Sequence, residues 1–210
     1  MNSTGVGDRE LLLAKEPSDP GIWPTSWSPD GRFVLFVRGN SDNPRQYVWV
    51  LPLVGDRKPR LFVPNAYDGQ FSPDGRWVAY TSHESGEGEI YVVPFDANKI
   101  LTTDPGSITS PGGKTQISAS RGAIARWRGD GKEIFYLGLG DRQIMAAEVD
   151  GRGNNFEAGK EQALFKIPVG SGLYDVTPDG KRFVVTIQKV NPNRPLTLVV
   201  NWTARLGNKQ

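Results

Sequence analysis

Four times along this chain a short apolar stretch runs into an Asp-Gly corner and leaves it as a second, more apolar stretch. The corners are Ser28-Pro29-Asp30-Gly31, Ser72-Pro73-Asp74-Gly75, Arg128-Gly129-Asp130-Gly131 and Thr177-Pro178-Asp179-Gly180. In such a corner proline presets φ, aspartate bonds back to nearby backbone N–H groups, and glycine reaches φ > 0 without a Cβ clash. Asp30, Asp74, Asp130 and Asp179, with Gly31, Gly75, Gly131 and Gly180, are therefore read as turn residues and not as acidic ligands or general bases. The third copy carries Gly129 in place of proline, and a looser hairpin is expected there.

The turn aspartates recur at intervals of 44, 56 and 49 residues. That is close to the roughly 40–50 residues of a four-stranded propeller blade. The third to fifth residues after each turn glycine (34–36, 78–80, 134–136, 183–185) are mostly apolar without strict alternation, as in a strand covered on both faces. Third strands are expected at 46–51, 89–93, 143–147 and 196–200, each rich in β-branched and aromatic residues, and outer strands of weaker patterning, as partly covered edges tolerate, at 60–63, 115–117 and 163–167. The fold class is thus all-β: a propeller of four-stranded antiparallel blades, about four of them, forming part of a larger ring. Blades are placed at 22–63, 67–117, 123–167 and 172–203. Residues 1–9 read as a flexible N-terminus, 10–14 as an additional outer strand, 10–206 as the propeller and 207–210 as a tail.

Composition narrows the chemistry. The chain has 210 residues, 37% hydrophobic, with 25 Gly and 16 Pro, which suits many short strands joined by tight turns. A formal net charge of +2 argues against a nucleic-acid partner, and the basic residues just after each turn glycine read as solvated charge. With no cysteine, disulfides, thiolate catalysis and Cys-ligated metals are excluded. No secretory leader or apolar run of about 20 residues is seen, so the chain as given is expected to be soluble and not to insert in a membrane. The compartment stays open.

The repeated Trp/Phe-Ser-Pro-Asp-Gly-Arg and its apolar strand resemble the WD40-like PD40 repeat of TolB-type propellers. Trp49-Val50-Leu51-Pro52-Leu53, the stretch 69–80, Gly131-Lys132-Glu133-Ile134-Phe135-Tyr136-Leu137 and the tail 198–204 resemble the C-terminal propeller of bacterial, acidobacterial-type serine/threonine protein kinases. The resemblance spans about 10–206. It implies a sensing or interaction module, periplasmic or otherwise outside the cytoplasm, that follows a kinase and a membrane span. This chain holds no Gly-rich phosphate loop, His-Arg-Asp or Asp-Phe-Gly, so kinase or hydrolase activity would lie in a domain outside it.

Catalytic residues are not assigned. His83 is the single histidine and no Gly-x-Ser-x-Gly elbow occurs, which leaves neither a histidine metal site nor a supported triad. No cofactor and no metal are expected. The first strand of each blade lines the channel of a propeller, so the loops approaching those strands converge at one mouth. Trp23, Tyr67, Asp68, Arg121 and Tyr174 lie there and are the binding candidates, for a protein or peptide partner or a small ligand. Blade faces left open at the ends of a four-blade arc call for further blades upstream or for a homodimer.

Overall fold

The computed structural model describes residues 10–15, 21–39, 46–109, 112–168 and 173–187. Blade 1 comprises β1 (Ile22–Trp27), β2 (Phe33–Arg38), β3 (Tyr47–Pro52) and β4 (Arg60–Pro64). Blade 2 comprises β5 (Ala66–Phe71), β6 (Trp77–Ser82), β7 (Glu89–Pro94) and β8 (Thr115–Gln116), with a short helix α1 (Ala97–Thr102) between its last two strands. Blade 3 comprises β9 (Gly122–Trp127), β10 (Glu133–Gly138), β11 (Gln143–Asp150) and β12 (Glu157–Lys166). Blade 4 is described as β13 (Tyr174–Val176) paired with β14 (Phe183–Val185). Each of the first three sheets is an antiparallel meander in chain order, and the inner strands β1, β5, β9 and β13 pack in succession. The all-β class and the four-stranded antiparallel blade are both seen.

The four corners share one geometry. Gly31, Gly75, Gly131 and Gly180 all have φ of +72°. The glycine N–H donates to the carbonyl of Ser28, Ser72, Arg128 or Thr177 at 2.8–2.9 Å. Each aspartate accepts from the backbone N–H two residues on, at 3.0–3.1 Å. Ser28 and Ser72 donate their hydroxyls to Asp30 and Asp74 at 2.6 Å, and Thr177 donates to Asp179. In blade 3 a bidentate Arg128 to Asp130 contact at 2.7 and 2.8 Å takes the place of that hydroxyl. The looser third hairpin is not found. Gly129 is required by its neighbour: its N–H donates to the Pro178 carbonyl at 2.8 Å, and a Cβ there would lie 2.9 Å from Pro178.

Two other expectations are corrected. Residues 10–15 carry no strand; Glu10 is ion-paired with Arg57 on the β3–β4 turn, and Leu11 is exposed. Three leucines in a row supply β propensity, but a strand that pairs with no other is not stable. The chain also forms a helix where only connection was expected. Asp96 caps α1 by accepting from the N–H groups of Asn98 and Lys99 at 2.9 and 3.1 Å, and Ile100 is buried beneath it. The expected strand at 196–200, the termini 1–9 and 207–210, and the end of blade 4 lie outside the described residues.

The core lies between blades, not within one. β6 is buried along its whole length, and β2 and β10 along most of theirs. Between blades 1 and 2, Phe33, Leu35, Val48, Val50 and Phe62 meet Phe71, Val78, Tyr80 and Val93. Between blades 2 and 3, Trp77, Ile90 and Val92 meet Ala125, Ile134, Tyr136 and Val149. Between blades 3 and 4, Phe135, Leu137 and Ile144 meet Tyr174, with Phe183 and Val185 packed alongside. Each such fully buried side chain contributes about 1.5–3 kcal/mol, so the stacking of faces holds the arc together.

Candidate functional site

The inner strands are bulged near their midpoints, which turns backbone groups toward the adjacent blade. At the bulges of blades 2 and 3, six residues before the turn aspartate, Asp68 has φ of +53° and Ile124 has φ of +61°. For a β-branched residue such as Ile124 the left-handed region costs about 1–2 kcal/mol. Its neighbours hold it there: its N–H donates to Thr81 of blade 2 at 3.2 Å and its carbonyl accepts from the Tyr174 hydroxyl of blade 4 at 2.8 Å.

The same pattern runs from blade to blade. Gln70 donates its amide to the Thr25 carbonyl at 2.8 Å, Thr25 donates its hydroxyl to the Gly69 carbonyl at 2.8 Å, and the Trp127 indole donates to the Gln70 carbonyl at 3.1 Å. A belt of side-chain to backbone bonds thus links the four inner strands.

Within this belt sits a charged group. Arg126 donates to Asp68 at 2.8 Å and to its neighbouring Ala125 carbonyl at 2.7 Å, and its Nε lies 3.8 Å from Asp175. Burial pushes the Asp68 carboxyl above its ordinary value, against the Arg126 guanidinium, which pulls it down. The Tyr174 hydroxyl is pushed up by burial as well. Asp68 and Arg126 are mostly covered, whereas the Asp175 side chain is 71% exposed. Arg126 neutralises one carboxylate beneath it and leaves the other open to the channel.

Trp27, Gln70, Trp127, Arg126 and Asp175 line a pocket of about 310 Å³, with residues from all four blades. Three of the polar lining residues, Gln70, Arg126 and Asp175, share one place in the repeat with Ser26 of blade 1, which accepts from the Phe71 N–H instead of lining the pocket. Ser26, Gln70, Arg126 and Asp175 each lie four residues before a turn aspartate.

The structure brings some of the sequence candidates together and separates others. Asp68 and Tyr174 join through Arg126 and Ile124. Tyr67 stacks on His83, ring centroids 5.1 Å apart, so the single histidine is engaged with an aromatic ring. Trp23 is 47% exposed and lies over Gly21, where a Cβ would meet its ring. Arg121 pairs with Glu87 at 3.1 Å on an open surface, away from the Asp68 cluster. Arg126, Asp175, Trp27 and Gln70 were missed. Aligning the four copies on their turn aspartates and asking which column changes chemistry would have found them.

A wider groove of about 690 Å³ lies between blades 2 and 3 on the corner side, bounded by Trp77, Trp127, Phe156 and the turn residues 150–152. Its arginines are committed to structure. Arg76 pairs with Asp74 and donates to the carbonyls of Gly151, Arg152 and Gly153, while Arg128 and Arg152 pair with Asp130 and Asp150.

Radially stacked four-stranded meanders, apolar on both faces and opening inner strands onto a channel, define a β-propeller. The chain is a propeller related in sequence to TolB: 112 residues, 50% of the chain, are 29% identical to the Tol-Pal system protein TolB of Anaeromyxobacter dehalogenans. The same extent and identity hold for the TolB of an Anaeromyxobacter sp.. The match takes up 24% of those proteins, so the chain spans about a quarter of the curated relatives it matches. No protein-family model matches the chain.

Among solved structures, TolB from Acinetobacter baumannii superposes with a TM-score of 0.58 at 18% identity, over 85% of this chain and 39% of that one. The periplasmic gluconolactonase of Pseudomonas aeruginosa gives 0.55 at 17% identity, over 85% and 53%. The hydrazine synthase of Kuenenia stuttgartiensis gives 0.51 at 12%, over 81% and 58%. Proteins so different in activity share the architecture, and likeness at this level speaks for the fold alone.

Proposed function

We propose that this chain is a non-catalytic interaction or ligand-sensing module, one arc of a larger propeller, that holds a peptide or small ligand in its channel pocket. The observation that carries the reading is the pocket of about 310 Å³ in which Trp27 and Trp127 flank Gln70, Arg126 and the exposed Asp175. Two indole rings flanking a set of convergent polar groups supply the aromatic anchors and the charge that recognition of a peptide uses. The finer assignment, the sensor part of a receptor-type serine/threonine kinase, rests on the motifs at 49–53, 69–80, 131–137 and 198–204. The sequence relationship to TolB favours a second reading, a stand-alone TolB-like assembly factor. An in-frame kinase domain upstream in the genome selects the first, and its absence from a full open reading frame selects the second.

Phage-displayed peptides selected on the immobilised chain test the pocket itself. Asp175→Ala is expected to weaken the selected peptides at least tenfold by fluorescence anisotropy, while Arg121→Ala leaves them unchanged. Equal affinity for wild type and Asp175→Ala removes the channel pocket as the site.

A further inference from the structure

The charge that the channel pocket can accept follows from what its lining has already spent. Among the described residues its charged lining is Arg126 and Asp175. Arg126 has little to give an incoming anion. Its Nη1 donates to Asp68 and to the Ala125 carbonyl, its Nε stands 3.8 Å from Asp175, and the side chain is only 20% exposed. Two carboxylates thus share one guanidinium, and the group keeps an excess of negative charge.

Asp175 holds that excess at the surface. Its Oδ1 accepts from the Val176 N–H at 2.9 Å, and its Oδ2 has no partner among the described residues. The neutral donors are spent too. Gln70 turns its amide N–H groups to the Thr25 carbonyl and to Asp68, and the Ser72 hydroxyl donates to Asp74. The Trp127 indole N–H is held by the Gln70 carbonyl, so this ring offers a ligand its apolar edge and its electron-rich face, which attracts cations and repels anions. Trp27 brings a second indole to the same pocket.

We propose, on the reading of this pocket as a peptide site, that it takes the guanidinium of a peptide arginine, laid against the Trp27 and Trp127 rings and paired with Asp175. Arginine suits the site better than lysine, because a flat guanidinium stacks on an indole while two of its N–H groups reach one carboxylate. An acidic side chain in the same place would meet Asp175 with Asp68 behind it.

Isothermal titration calorimetry with the tightest peptide from the phage selection tests this, alongside synthetic copies in which its arginine is replaced by lysine, by glutamate, or by citrulline, which keeps the shape without the charge. On the wild-type chain citrulline is expected to weaken binding about tenfold and lysine about threefold, and glutamate to abolish it. On Asp175→Asn, with an unchanged far-UV circular dichroism spectrum, the arginine and citrulline peptides should bind within about twofold of each other, because the charge that arginine meets has gone. Selected peptides that carry no arginine, citrulline bound as tightly as arginine, or the same citrulline penalty on Asp175→Asn overturns the proposal and leaves the channel pocket as a binding site. Peptides indifferent to Asp175→Ala remove the pocket itself, and the proposal with it.

Discussion

The interface between blades 1 and 2 and the one between blades 2 and 3 are built from the same repeat and are sealed in opposite ways. In the first, the connection after β7 returns as α1. Phe95 inserts among Phe33, Phe62 and Phe71 with edge-on contacts at 5.1, 5.7 and 4.8 Å, and Ile100 is buried beneath the helix. In the second, the connection after β11 is a short turn. Phe156 packs at 4.9 Å from Trp77, the Trp77 indole donates to the Gly151 carbonyl at 3.0 Å, and Arg76 clasps the same turn from outside. One interface is plugged with apolar groups, and the other is tied by polar ones and keeps a groove. The strands decide that blades stack, and the connection between the third and fourth strands decides what fills the seam.

This contrast is open to direct attack. Phe95→Ala removes three aromatic contacts from the plugged seam and is expected to cost about 3–4 kcal/mol in urea unfolding. A loss below about 1 kcal/mol means the plug is decorative. Next is Gly129→Pro, at the rim of the second groove. Restoring the proline of the other three corners ordinarily stabilises a loop by about 0.4–1 kcal/mol. Here it deletes the N–H that bonds Pro178 and places a ring where a Cβ already lies 2.9 Å away, so a loss of about 3 kcal/mol is expected. A more stable Gly129→Pro chain would refute the account of that residue. Arg76→Ala should cost at most about 1 kcal/mol, because the arginine and its aspartate are nearly half exposed and solvent screens them.

The smallest effect is in pH. The Ser28 hydroxyl, with Arg32 also contributing, holds the Asp30 carboxyl at about 2, below its ordinary 3.8, and Asp74, Asp130 and Asp179 are held down as well. Groups with a lowered folded pKa stabilise the fold above the unfolded value and lose that contribution as pH falls from about 4 toward 2. Asp68 has the opposite sign, since burial raises it and its protonation relieves the fold. The urea midpoint should therefore decline below pH 4 in wild type and decline less in Asp30→Asn. An identical profile in that variant removes the turn carboxylate as a source.

The corner and the central strand were legible because their causes are local. An Asp-Gly turn needs only its own five or six residues, and a strand covered on both faces writes its burial into its own composition. The binding candidates fared unevenly for the converse reason. Asp68 was visible as a charged residue near an inner strand, but its partner Arg126 is 58 residues away, and its left-handed conformation belongs to a bulge that no local pattern announces. Arg121 looked equivalent from its place before β9, yet it turns outward to Glu87. The helix cap at Asp96 was readable in principle. A six-residue helix is unstable alone and exists here because Ile100 has a seam to enter.

By itself the sequence determined the unit: four Asp-Gly hairpins, each feeding a strand with two apolar faces, and hence sheets that must be stacked. The tertiary structure alone decided how neighbours meet, which carbonyls the bulges offer, why position 129 excludes proline, and that Arg126 gathers Asp68 while leaving Asp175 open. Turn and strand energies act over a few residues of chain. Seams and channel charges depend on groups some 40 to 60 residues apart in sequence, whose proximity exists only once the blades have closed on one another.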